Sequence, residues 1–195
     1  MFPEGITTAK LIIERSEFIG YLKRCDTLDE HREFLNAIKK KHHDATHVVS
    51  AYIAKDIKRS SDNGEPSGTA GIPVLSVLER NNLENTSALV VRYFGGIKLG
   101  AGGLVRAYSN TISETIKKAA FYNEEEMKVF ELSLAYDLAS KIDHYIRNNT
   151  LLLDVEYAEK VNYRFAASEI SDKLLEYTKG EKPSFLGYKT IKKPV

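Results

Sequence analysis

Two stretches of this chain concentrate residue types that handle anions. "YFGGIKLGAGG", residues 93–103, holds five of the twelve glycines and lies between a very apolar stretch and an amphipathic one. Glycine loses more backbone entropy on ordering than any other residue. A cluster therefore signals an unusual turn, a close approach of two elements, or a ligand seated on bare backbone. A strand, a glycine-rich loop and a helix start, in that order, present free N–H groups and the positive end of the helix dipole, which suit phosphate. Arg92, Lys98 and Arg106 would add positive charge, and the backbone of Gly100, Gly102 and Gly103 would add donors. The spacing is neither that of a Walker loop nor GxGxxG followed by an acid at the proper distance. Read alone, the cluster is explained as readily by tight turns and close packing of helix on sheet.

The second stretch is "SSDNGEPSGTAGIP", residues 60–73. Asp62 and Glu65 have the chemistry to orient a substrate or hold a cation. Ser67 and Thr69 are donors for phosphate, or caps for the helix that follows. Turn and cap is the plainer use of such residues, yet the loop is long for a compact domain, and long loops are often functional. His42, His43 and His47 cluster nearby, but no CxxC or HExxH spacing accompanies them, so no metal site is expected. His47 is in phase with Val49, Ala51 and Ile53, which puts it on the inner face of a strand, near a cleft. No catalytic residue and no cofactor is assigned.

Hydrophobic periodicity places these stretches. Strands are expected at about 6–13, 17–24, 46–54 and 87–93, with "SALVVRY" apolar enough to be buried on both faces. Thr27 and Glu30 give a capping-box signature for a helix carrying Leu28, Phe34, Leu35 and Ile38. A long polar loop is expected from Asp56 to about Gly71, then a helix through Val74, Leu75 and Leu78. Leu104, Tyr108, Ile112 and Ile116 mark the last helix of this half, one sheet with helices against it. In the remainder, Phe130, Leu132, Leu134 and Tyr136 alternate, a helical stripe follows through Leu138, Ile142, Tyr145 and Ile146, and "TLLLDVEY" and Val161–Phe165 read as a hairpin. A helix through Ile170, Leu174 and Tyr177 and a last strand, "SFLGYKTI", complete a βαββαβ order, the split βαβ of ferredoxin-like domains. The expectation is an α+β protein of two domains, 1–123 and 124–195, meeting near "FYNEEE".

Bulk properties exclude more than they assign. The chain has 195 residues and a formal net charge of +1. Residues 1–123 carry 17 Lys and Arg against 14 Asp and Glu, and residues 124–195 carry 11 against 13. Neither half is a polybasic binder, so any RNA contact must come from a local patch, and DNA binding is not expected. Cys25 is the only cysteine. No intramolecular disulfide can form, which fits a reducing cytosol, and no neighbour in sequence activates it as a nucleophile. No apolar run reaches membrane-spanning length and no signal-peptide pattern opens the chain. The expected setting is cytoplasmic, without a membrane.

The ordered pair "SDNGEPSGTAGIP" and "VVRYFGGIKLGAGGLVRAY" resembles the double signature of the YigZ/IMPACT family. By position, the resemblance maps onto Asp62, Gly64, Glu65, Pro66, Gly68, Thr69, Ala70 and Gly71 in the first loop. In the second it maps onto Arg92, Tyr93, Gly95, Gly96, Gly100, Gly102, Gly103, Leu104 and Tyr108, with His47 matching a histidine ahead of both. Family members often carry cysteine two residues after that histidine, where this chain has Val49, which weakens any thiol chemistry. The resemblance implies an N-terminal domain like domain 2 of ribosomal protein S5 and a C-terminal one like the last domain of translocating elongation factors. Eukaryotic relatives regulate translation initiation through an added partner-binding domain. With no room for that domain ahead of the first strand, that half of their role is not expected here.

The resulting expectation is a non-catalytic, translation-associated protein that grips RNA or a ribosomal surface. The site would comprise Arg92, Lys98, Gly100, Gly102, Gly103 and Arg106, faced by Asp62, Glu65, Ser67, Thr69 and His47. The alternatives are a phosphate- or nucleotide-binding enzyme related to small-molecule kinases of the S5-like fold, and a protein-interaction module.

Overall fold

The computed structural model describes residues 1–195. The chain divides into two compact units, residues 1–123 with 194–195, and residues 124–193. Its architecture is α+β, with antiparallel sheets and helices packed on them.

In the first unit, β1 (Phe2–Pro3) pairs with Phe121 and Tyr122. The main sheet is built from β2 (Ile6–Ile13), β3 (Ser16–Arg24), β4 (His47–Ala54), β5 (Ile57–Ser61) and β6 (Thr86–Tyr93). Their order is β2–β3–β6–β4–β5, antiparallel throughout. Three helices cover it: α1 (Leu28–Lys41), α2 (Gly71–Arg80) and α3 (Gly100–Lys118). Central strand β6 shows why both faces are covered. Ala88 and Val90 join Val49, Ala51, Phe18 and the apolar stripes of α2 and α3 in one core. Leu89 and Val91 join Val48, Tyr52 and the α1 residues Phe34 and Ile38 in another. Two-sided burial makes a strand read as one apolar run, as "SALVVRY" does. Cys25, fully buried beside this second core, has its thiol pushed up to about 11, chiefly by burial.

The polar loop expected from Asp56 to Gly71 contains a strand. β5 pairs with β4 from Ala54↔Ile57 to Ser50↔Ser61, and all five of its residues are exposed. An edge strand whose side chains are all exposed carries no apolar alternation to announce it. At α1, Thr27 caps the Glu30 N–H as the signature requires, while the Glu30 carboxylate accepts from Asp26 N, one residue ahead of the cap.

In the second unit, β7 (Phe121–Leu134) is central. β9 (Val161–Ala167) pairs with it, β8 (Leu151–Tyr157) pairs with β9, and β10 (Ser184–Pro194) also pairs with β7. Helices α4 (Tyr136–Asn149) and α5 (Asp172–Tyr177) pack their Ala139, Ile142, Ile146 and Leu174 on Leu132, Leu134, Val161, Tyr163 and Phe165. β7 starts nine residues before Phe130, the first of the alternating run that announces it, and that run is not extended toward the N-terminus because Asn123–Glu126 is polar and charged. "FYNEEE", within which the two units divide, is therefore strand.

Candidate functional site

β4 and β6 are neighbours with His47 opposite Arg92. That register sets a neutral-capable ring and a cation side by side at one end of the sheet. The 62–70 loop brings a third group. A tight turn closes with Glu65 N donating to Asp62 O, and it returns the Glu65 side chain over the strand ends. Glu65 Oε1 accepts from Arg92 Nη1 at 2.6 Å and from Tyr108 Oη at 2.7 Å. Both Glu65 and Arg92 are nearly inaccessible, with side chains 3% and 6% exposed. A buried ion pair of this kind is held by its added hydrogen bonds as much as by its charge. Burial, and then the Glu65 carboxylate, push the Tyr108 phenol far above its ordinary value, so it remains a donor. The Arg92 guanidinium lies 5.3 Å from the Phe18 ring centroid and 5.4 Å from that of Phe94. Its Nε is buried without a hydrogen-bond partner.

The other Glu65 oxygen, Oε2, faces His47 Nε2 at 3.9 Å. His47 Nδ1 sits 2.8 Å from the carbonyl oxygen of Asn63. A carbonyl only accepts, so Nδ1 carries a proton and donates to it, and in the neutral ring the lone pair falls on Nε2, toward Glu65.

These groups form one wall of a cleft of about 410 Å³. Its remaining lining includes Thr46, Pro66, Phe94, Lys98, Leu99, Gly100, Ala101 and Leu104. α3 begins there with Leu99 at its N-cap, which supplies no side-chain acceptor, and with no acid in its first turn. The first N–H groups of a helix have no partner within the helix, so this start is set for an anion. The glycines before it serve different ends. A Cβ on Gly95 would fall 2.1 Å from the Arg15 backbone, so this residue lets the loop lie against the β2–β3 turn. Gly100 has φ +68° with open space around it, so here the backbone conformation, not packing, calls for glycine.

The structure gathers His47, Glu65, Arg92, Lys98 and Gly100 on this cleft, and assigns the other expected site residues elsewhere. Asp62 accepts from the N–H groups of Gly68, Ala70 and Gly71 and so caps the start of α2. Burial raises its pKa, but those three bonds outweigh burial and hold it below the ordinary value. Thr69 is buried and donates to Pro66 O at 2.6 Å. Ser67 is exposed and does not line the cleft. Gly102 is also absent from the cleft lining, and Gly103 and Arg106 line a second hollow with Ile13, Glu14 and Asn110, which Lys98 and Leu99 also border. Arg92, expected as a free phosphate ligand, is instead committed to Glu65. Sequence reasoning assigned no site role to Phe94 or Tyr108. An exposed aromatic between a buried strand and a glycine pair was the available signal for Phe94.

The fold and site thus define an α+β protein with a largely apolar cleft, walled on one side by a buried ion pair, at the ends of two central strands. Residues 14–116 match the family described as the Impact N-terminal domain. The chain is 40% identical over 181 residues to the IMPACT family member YvyE of Bacillus subtilis, which covers 88% of this chain and 83% of that protein. It is 29% identical over 191 residues to the IMPACT family member YigZ of Escherichia coli, covering 92% and 94%. A crystal structure described as that of a hypothetical protein is similar with a TM-score of 0.63 and 28% identity over 95% of both chains. The chain belongs to the IMPACT family.

Proposed function

We propose that this protein is a translation-associated regulator that binds RNA, free or on a ribosomal surface, through the cleft and without catalysis. The observation that carries the reading is the start of α3, whose first residues Gly100 and Ala101 line the cleft beside Lys98, with neither side-chain cap nor acid in the first turn. The strand order of the second unit, β10–β7–β9–β8, supports the ferredoxin-like assignment, and the two-sided sheet of the first supports the S5-like one. Both relatives implied by the resemblance handle RNA or the ribosome, and this setting is cytoplasmic. The kinase alternative asks for carboxylates that can hold Mg²⁺ on a nucleotide. Glu65 is the one carboxylate on the cleft wall, and Arg92 and Tyr108 already occupy its Oε1.

The test is binding of labelled RNA oligonucleotides against ATP at two salt concentrations. RNA affinity should fall as salt rises, and Lys98→Ala should reduce the salt slope by about one. Tight ATP binding that ignores salt, with no RNA binding, would overturn the reading in favour of the kinase alternative.

A further inference from the structure

When the His47 ring is neutral, the His47–Glu65 pair presents two acceptors and no donor to the cleft. Nδ1 donates to the Asn63 carbonyl, which leaves Nε2 as the lone pair of the neutral ring. Glu65 Oε2 belongs to a carboxylate whose charge is held in place by Arg92 and Tyr108 on the other oxygen. At 3.9 Å apart the two do not bond each other. Two O–H groups on neighbouring carbons satisfy both at once, one donating to nitrogen and one to oxygen. A single hydroxyl donates to only one of them. Phosphate is excluded from this corner, since it brings further acceptors beside a carboxylate. Yet the phosphate-suited start of α3, at Gly100 and Ala101, lines the same cleft, and so does Phe94, 46% exposed, an aromatic on which a base can stack.

We infer that the cleft reads the free 2′,3′-diol of a ribonucleotide, with His47 and Glu65 as the diol acceptors and Lys98 and the α3 amides on its phosphate. The inference rests on the reading of this cleft as the RNA site, and it narrows that reading. Inside an RNA strand the 3′ oxygen is esterified, so the diol exists only at a 3′ end, or on a free ribonucleotide. The RNA is thus held by its 3′-terminal nucleotide.

The experiment compares one short RNA carrying a 3′-terminal ribose with the same RNA ending in a 2′-deoxy, a 2′-O-methyl or a 3′-phosphate nucleotide. AMP and dAMP are measured alongside. Blocking or removing one hydroxyl should weaken binding about tenfold, because it leaves a buried acceptor unpaired. His47→Phe, which keeps a ring but no acceptor, should lose discrimination at one of the two hydroxyls and keep it at the one Glu65 accepts, with a thermal melt to confirm that it is folded. The modified ends test the wild-type protein directly and need no variant. Equal affinity for all four ends in the wild type overturns the diol assignment and leaves the RNA reading standing. Diol-dependent binding of AMP with no binding of RNA supports the diol contact and overturns the RNA reading. Preference for the deoxy end overturns the assignment outright.

Discussion

The two units use a sheet in opposite ways. Residues 1–123 cover theirs with helices on both faces, and residues 124–193 pack α4 and α5 on one face and leave Glu131, Arg164 and Tyr188 on or near the other. Buried polar chemistry follows the same division. Of the buried polar and charged side chains, Thr178 alone lies in the second unit, and it is a helix cap. The first unit holds a buried carboxylate, guanidinium, imidazole and several hydroxyls. A sheet clamped on both sides fixes its strand ends well enough for a buried ion pair to keep its geometry. A one-sided sheet keeps its charges in water. Function that depends on preorganised charge is to be sought in the first unit.

The largest expected effect tests this contrast directly. Glu65→Ala leaves Arg92 buried and unpaired, and should cost about 3–5 kcal/mol. The same change at Glu131, which meets Arg164 at 3.2 Å on the exposed side of the second sheet, should cost no more than about 0.5 kcal/mol. Urea unfolding of both variants checks the pair, and equal losses would erase the distinction. Next in size is Tyr108→Phe, which removes one of two donors to Glu65 and should cost about 1–3 kcal/mol by the same measurement.

An acid titration sharpens the contrast from another side. Asp62 has a folded-state pKa below its ordinary value of 3.8. Its contribution is therefore complete above that value and is lost as the pH falls through the lower, folded one. Asp62→Asn should flatten the acid side of the stability curve, and it should cost about 1 kcal/mol at neutral pH through the weakened cap of α2. The smallest effect is expected at Arg106. Because it borders the second hollow, Arg106→Ala should change stability by less than about 0.5 kcal/mol, and should lower the salt slope of RNA binding less than Lys98→Ala. A larger drop for Arg106 would shift the phosphate path to that hollow.

The sequence made legible what burial imprints on it. β9 was readable because Val161, Tyr163 and Phe165 face a core and their neighbours do not. β6 was readable because both its faces are buried. β5 was not, since backbone pairing at an exposed edge leaves no periodic trace, and the first residues of β7 were not, since Asn123–Glu126 is polar and charged. In the site, His47 was traceable from its phase with Val49 and Ala51. The Glu65–Arg92 pairing was not, as it joins residues 27 apart through a loop whose path no local pattern dictates. Tyr108 was read correctly as a core position on the α3 stripe. Its hydroxyl, which reaches out of that core to Glu65, was invisible because periodicity reports a ring's burial and says nothing of its polar tip.

The lone thiol of Cys25 gives this protein a built-in clock. Wholly inaccessible and held protonated by burial, it can be alkylated only when the first unit opens, since the thiolate is the reactive species and needs access to the reagent. The second unit has no cysteine and stays silent. Labelling rates followed by mass therefore time the opening of the clamped sheet alone, with no engineered probe and no contribution from the neighbouring unit.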